Sequence, residues 1–282
     1  MRLIAIRAAL TVAAVYGYFL IFAQFAFVEL LRSGGVGVSG ERAALGLMAF
    51  AGIAGGFLAA WRGVDSGRIR IALAVAAVVA ACAPWAGNSV GWLAVALATG
   101  AALGVATVGV SALLPGWCGV AWVGLGTGIG YACCNLPVVF SASPAVQAWI
   151  AAGFALVGVM AIPAEREWPE GKRSPAFHRW AAVGVFTALV WLDSAGFFII
   201  QHAGELKAGT WGDGMLWRNA GVHLLAAVLA GQWLRKWAAK SLLFAAWVIL
   251  AVAAIAVNHA GGRMLAGWWY PAGVSLYSPA LV

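Results

Sequence analysis

One carboxylate stands in the middle of an apolar run. Asp193 lies in Val190-Trp191-Leu192-Asp193-Ser194-Ala195-Gly196-Phe197-Phe198. On membrane-insertion scales such a charge costs ~2.5–3.5 kcal/mol at the centre of a helix. It must therefore face a cavity or a partner, where it could bind a proton or cation, contact a solute, or bond a neighbouring helix in its protonated form. Asn219 and His223 are four residues apart, so a helix would carry both on one face. An imidazole near mid-span could bind a solute, relay protons, or bond Asn219 and a residue of the run that holds Asp193. Arg218, beside them and nearer the end of its run, could bind a solute anion or snorkel to the headgroups.

Earlier in the chain, Gln24 and Glu29 fall late in the first apolar run, where Glu29 is close enough to water to be simply solvated. In Asn135-Leu136-Pro137, the proline has no N–H for the carbonyl of Cys133, which predicts a bend. Asn135 could satisfy a group freed there, or touch solute. Gln201, His202, Glu205, Lys207 and Asp213 form a polar stretch expected to be a solvated rim. His202 and His223 could be invoked as haem ligands, but their different depths argue against a shared haem. Paired carboxylates, a histidine cluster and a Ser-His-Asp set are all missing at suitable depth, so neither an enzyme nor a cofactor is expected. Cys82, Cys118, Cys133 and Cys134 have no metal-type spacing, and adjacent Cys133 and Cys134 would form only a strained bridge. They read as buried small apolar residues. Gly100-x-x-x-Gly104 and Gly124-x-x-x-Gly128 lie in apolar runs, where small residues let helices approach closely. They are not a nucleotide loop.

The elements that must position these residues are membrane helices. Hydrophobic residues make up 64% of the 282 and charged residues 9%, against roughly 25% charged in a soluble domain. Mean hydropathy is +0.94. Apolar runs cover Ala8–Leu31, Ala43–Trp61, Ile69–Ala86, Val90–Leu114, Trp117–Phe140, Ala145–Pro163, Ala181–Ile200, Leu216–Leu234 and Ser241–Val257, and a tenth begins near Met264. Most approach the roughly 20 residues that a bilayer requires of a helix, and none alternates as a barrel strand would. The uncharged stretch from Val90 to Phe140 is too long for one crossing, and Pro115-Gly116 offers the turn within it. The fold class expected is an all-α polytopic membrane protein.

Basic residues collect in alternate gaps. With the N-terminus in the cytoplasm, 12 Lys and Arg fall inside and 5 outside, together the 17 of the chain. The positive-inside rule thus predicts a cytoplasmic N-terminus, in a multi-pass protein of a plasma membrane such as a bacterial inner membrane. A net charge of +8 then faces anionic headgroups and calls for no nucleic acid. The first run continues to Leu31 without a cleavage region, so it reads as a retained helix. Many of the sixteen tryptophans sit near run ends, as in an interfacial belt. Trp191 and Trp247 lie at mid-depth and are expected to pack between helices.

The most polar internal segment, Glu165–Arg179, follows six runs and divides the chain: 1–163, a cytoplasmic loop at 164–179, and 180–282. Ala54-Gly-Gly-Phe-Leu58 ends the second run and Ala230-Gly-Gln-Trp-Leu234 the eighth, each before a basic loop, an echo that a six-helix duplication would produce. Over essentially its whole length the chain resembles the major facilitator superfamily. That family's loop motif, Gly-x-Leu-Ala-Asp-Arg-x-Gly-Arg-Lys, is similar to Gly56-Phe-Leu58-Ala59-Ala60-Trp61-Arg62 followed by Gly67-Arg68-Ile-Arg70, with Ala60 at the acidic position and about three residues inserted. Gly124-x-Gly126-x-Gly128-x-Gly130 is similar to the family's glycine-rich fifth helix. The resemblance implies a six-helix bundle plus a second one, here of about four helices. Because the family has twelve, it also implies that two are missing, which a longer reading frame or a partner chain could supply.

The expected function is secondary transport of a small solute by alternating access, driven by an ion gradient and possible with protons as the coupling ion. Asp193 would be its charged element, Asn219 and His223 would line the pathway, and Asn135, Gln24, Glu29 and Arg218 are further candidates. The alternative is a non-transporting, facilitator-like membrane subunit of a redox or assembly complex.

Overall fold

The computed structural model describes residues 2–164, 179–211, 215–259 and 263–281. Among them the chain is helical, with no strand. In hydrocarbon every backbone N–H and C=O needs a partner within the segment, and a helix supplies it locally. The first rod joins α1 (Arg2–Tyr18), a π-helical stretch (Phe19–Ala26) and α2 (Phe27–Ser33). Then come α3 (Val38–Arg62), α4 (Ser66–Cys82), α5 (Ser89–Trp117), α6 (Val120–Cys134), the single turn α7 (Pro137–Phe140) and α8 (Pro144–Ala161). From residue 179 onward follow α9 (Arg179–His202), α10 (Gly204–Trp211), α11 (Leu216–Lys236), α12 (Ala239–Val257) and α13 (Arg263–Leu281).

Several boundaries are set by residues visible in the chain. Asp65 accepts the backbone N–H of Arg68 at 2.7 Å and Asn88 that of Gly91 at 2.8 Å, each satisfying an orphan donor of a helix start. Gly63 takes a φ of 76° where α3 stops, a conformation that costs glycine nothing.

Among the described residues, six helices are long and apolar enough to cross a membrane: Arg2–Ser33, Val38–Arg62, Ser66–Trp85, Ser89–Trp117, Pro144–Ala161 and Ala239–Val257. A seventh would be the pair Gly184–Ile200 and Gly204–Thr210, bent by 109°. Of the remainder, α6 has only 15 residues, and α11 and α13 carry more polar side chains.

Three details differ from the sequence expectation. The turn near Pro115-Gly116 falls later, because α5 runs through both to Trp117. Pro115 sits in the last turn, where the helix loses one backbone bond and Cys118 closes the end by donating to Leu114 at 3.0 Å. Trp191 and Trp247 do not pack between helices. They are 71% and 47% exposed on the outside of the bundle. The four cysteines are free thiols, but only Cys134 is buried as expected; Cys118 and Cys133 are half-buried, and Cys82, at the end of α4, is exposed. The segment 165–178, which contains the expected division of the chain, lies outside the described residues.

α1 is the hub of the first six apolar helices, packed against α6 and α8, while α5 holds α3 and α4. Arg7 locks α1 to the end of α8, donating to the carbonyls of Ala161, Met160 and Ile162 at 2.9–3.1 Å. Arg70 adds a bond to Ile162 at 3.0 Å. These cations cap the negative end of a helix dipole, and they put the starts of α1 and α4 and the end of α8 at one end of the bundle. In the later part of the chain α13 packs on both α11 and α12, and α12 on α9. The two parts meet chiefly where α11 lies along α6.

Candidate functional site

Glycines decide which side chains meet. In α6, Gly124 and Gly128 face α11, and Gly126 and Gly130 face α1. A Cβ on Gly124 would collide with the carbonyl of Ala227, and one on Gly128 would stand 3.0 Å from that of Leu224. A Cβ on Gly130 would lie 2.6 Å from Cβ of Tyr16, and one on Gly126 would lie 2.5 Å from the carbonyl of Ala9. Thus α6 is clamped between two helices at close approach. The next residue, Tyr131, is held between Tyr16 of α1 and His223 of α11.

Tyr131 stacks on His223 with ring centroids 4.8 Å apart and an interplanar angle of 13°. Its centroid is 5.5 Å from that of Tyr16. Its hydroxyl is 3.1 Å from Oγ of Ser278. Because Ser278 spends its own proton on the carbonyl of Val274 at 2.7 Å, Tyr131 is the donor. Tyr16 donates to the carbonyl of Ser278 at 3.1 Å. Nδ1 of His223 lies 2.6 Å from Oγ of Ser275. A polar chain therefore ties α1, α6 and α11 to α13.

Asp193 is tied to α13 as well. Tyr270 donates to its Oδ1 and Tyr277 to its Oδ2, each at 2.6 Å. The two tyrosines are seven residues apart, two helical turns, so they stand on one face. Both distances are at the short end of the O–H···O range. Among the described residues no Lys, Arg or His forms an ion pair with Asp193; the ion pairs there join Arg32 to Glu29 and Glu41, and Arg68 to Asp65.

Two cavities meet at this carboxylate. The larger, about 620 Å³, extends toward the end of the bundle where α1 begins. Its walls include Val12, Tyr16, Met48, Gly104, Thr107 and Tyr277. The smaller, about 230 Å³, extends toward the opposite end and includes Phe25, Asn135, Phe197, His223 and Tyr270. Gln24, Tyr131, Asp193 and Ser194 line both. Beyond the smaller cavity, Phe25 meets Phe140 and Phe197 edge-on, with centroids 5.5 and 6.4 Å apart. Gln24 and Phe25 belong to the π-helical stretch of the first rod, a local irregularity of a kind that recurs at functional sites.

The structure therefore gathers four of the residues picked out from the sequence: Asp193, His223, Asn135 and Gln24. At Asn135 the expected bend is a full interruption. α6 ends, Asn135 donates to the carbonyl of Tyr131 at 2.9 Å, and a new turn starts at Pro137. The other three residues lie elsewhere. Asn219 is fully buried, but it donates to the carbonyl of Thr210. Arg218 donates to Gly209, Thr210 and Asn219 at 3.2–3.3 Å and lies 5.3 Å over the ring of Trp268. Both serve the end of α10. Glu29 is exposed and paired with Arg32 at 3.0 Å. Asp213 and the side chains of Gln201 and His202 lie outside the described residues.

Four residues central to the site escape sequence reasoning: Tyr16, Tyr131, Tyr270 and Tyr277. The chain has five tyrosines. A tyrosine within an apolar run needs a partner for its hydroxyl, and that demand is the signal that could have found them. No protein-family model matches the chain, and no curated protein matches it.

Proposed function

We propose that this protein is a secondary transporter of a small solute, with Asp193 as its proton- or cation-coupling group. The observation that carries this reading is a carboxylate with no cationic partner among the described residues, at the junction of two cavities that point to opposite ends of the bundle. An empty, charged site is costly to move past the apolar closing layer of Phe25, Phe140 and Phe197, whereas a loaded, neutral site is not. That difference is enough to couple an ion to the movement of solute.

In this reading the ten apolar runs are ten crossings, the N-terminus is cytoplasmic, and the arrangement is that of the major facilitator superfamily. Repeated helix pairing supports it: the second and third runs (α3, α4) both pack on the fourth (α5), as the eighth and ninth (α11, α12) pack on the tenth (α13). The site residues are Asp193 for the ion, with His223, Asn135 and Gln24 along the pathway. Arg218, Asn219 and Glu29 hold structure. The two bundles would rock about the α6–α11 contact, opening one cavity as the other closes.

Proteoliposomes under an imposed pH gradient, offered radiolabelled amino acids, sugars, amines and carboxylates, test this directly. Uphill uptake of a member of the set is expected from the native protein and not from Asp193→Asn. Uphill uptake that persists in Asp193→Asn would sink the role of the carboxylate.

A further inference from the structure

The walls of the larger cavity specify a class of solute, on the premise that it is a solute site. Its volume of about 620 Å³ is in the range of small-molecule sites, roughly 300–1,000 Å³. Among the described residues that line it, Asp193 is the one charged residue, with no Lys, Arg or His. An anion would find no partner there and would meet a like charge, so its lost hydration would go unrepaid. A sugar or other polyol needs many hydrogen-bond partners at once, since each unsatisfied buried group costs about 1–3 kcal/mol. The lining offers few, chiefly Gln24, Thr107, Ser194 and the hydroxyls of Tyr277 and Ser278, among Val, Leu, Met, Ala and Gly.

A cation with an apolar body satisfies the same walls. Each carboxylate oxygen of Asp193 accepts one phenolic proton and keeps a second lone pair. The rings of Tyr16 and Tyr277 border the cavity, and aromatic rings attract a desolvated cation. The apolar remainder of the walls takes the body of the solute. We infer that the larger cavity binds a monovalent organic cation with an apolar body, its charge set against Asp193.

The test is equilibrium binding of tetraphenylphosphonium to the whole protein in nanodiscs, beside tetraphenylborate, an anion of the same shape, with empty nanodiscs as the blank. Saturable binding of the phosphonium and none of the borate is expected. Asp193→Asn should weaken phosphonium binding by about tenfold or more, as loss of one buried charge partner does. Because that variant can fail to fold, Gln24→Lys is the second arm. It keeps Asp193, places a cation on the same walls, and should also abolish binding. Equal binding of both probes, or phosphonium binding untouched by both substitutions, overturns the assignment. Failure of the transport reading looks different: Asp193-dependent binding of the cation in a protein that moves no solute in proteoliposomes.

Discussion

The phenol of Tyr131 lies nearly parallel to the imidazole of His223, 4.8 Å away between centroids. Neither ring is free to turn. Ser278 holds the hydroxyl of one and Ser275 holds Nδ1 of the other, and both serines belong to α13. The Tyr131 ring is thus fixed by two helices on the wall that the two cavities share.

If that ring separates the cavities, removing it should join them. Tyr131→Ala is expected to raise passive proton leak on the order of tenfold, the effect of lowering a barrier by about 1.4 kcal/mol. Tyr131→Phe keeps the ring and should remain as tight as the native protein. Entrapped pyranine, followed after a pH jump across proteoliposomes, reads both. A Tyr131→Ala protein with native tightness would show that the partition lies elsewhere.

The two phenols on Asp193 permit a measurement of its charge. Hydrogen bonds between membrane helices average about 0.6 kcal/mol, whereas bonds to a charged group are worth about 1.5–3 kcal/mol. With both bonds at 2.6 Å, Tyr270→Phe and Tyr277→Phe are each expected to cost more than about 1.5 kcal/mol. In the background of Asp193→Asn the same substitutions should cost much less. Unfolding in mixed micelles measures the six proteins as two cycles that share the native protein and Asp193→Asn. Equal costs in both backgrounds would mean that no charge is held there.

Gly124 should tolerate no side chain. A Cβ there meets the carbonyl of Ala227 and lies 2.8 Å from Cα of Gly231, both backbone atoms that cannot swing aside. Gly124→Ala is therefore expected to push α6 and α11 apart and cost about 1–3 kcal/mol, as overpacking does. It should lower solute uptake too, since His223 would leave Tyr131. Gly153→Ala is the control: nothing stands within 4 Å of its Cβ. Thermal unfolding with the two variants side by side decides, and indistinguishable midpoints would count against the α6–α11 contact.

Much of the fold was legible because lipid leaves the backbone so few options. A long apolar run must become a helix, so the positions of the helices follow from hydropathy. Prolines were harder. Pro115-Gly116 in an overlong apolar stretch predicts a turn, yet in the last turn of α5 Pro115 costs only one bond. Pro137, at the start of α7, accompanies a complete break. Trp191 and Trp247 were misplaced because depth in the membrane says nothing about direction. An apolar ring is equally at home against lipid or another helix.

The candidate site divides in the same way. Asp193 declared itself in the sequence, since a charge within an apolar run has a cost wherever the run packs. Asn219 and His223 share a helical face, but the period of a helix does not say what stands opposite each turn. Only the tertiary structure sets the end of α10 against Asn219 and the face of α13 against His223. It also brought together the four tyrosines, from three helices far apart in the chain. Residue type and spacing act locally, which is why the sequence alone could determine helices and an expensive carboxylate. Which hydroxyls answer that carboxylate, and that cavities lie on both sides of it, depends on how closely the glycines of α6 let its neighbours approach.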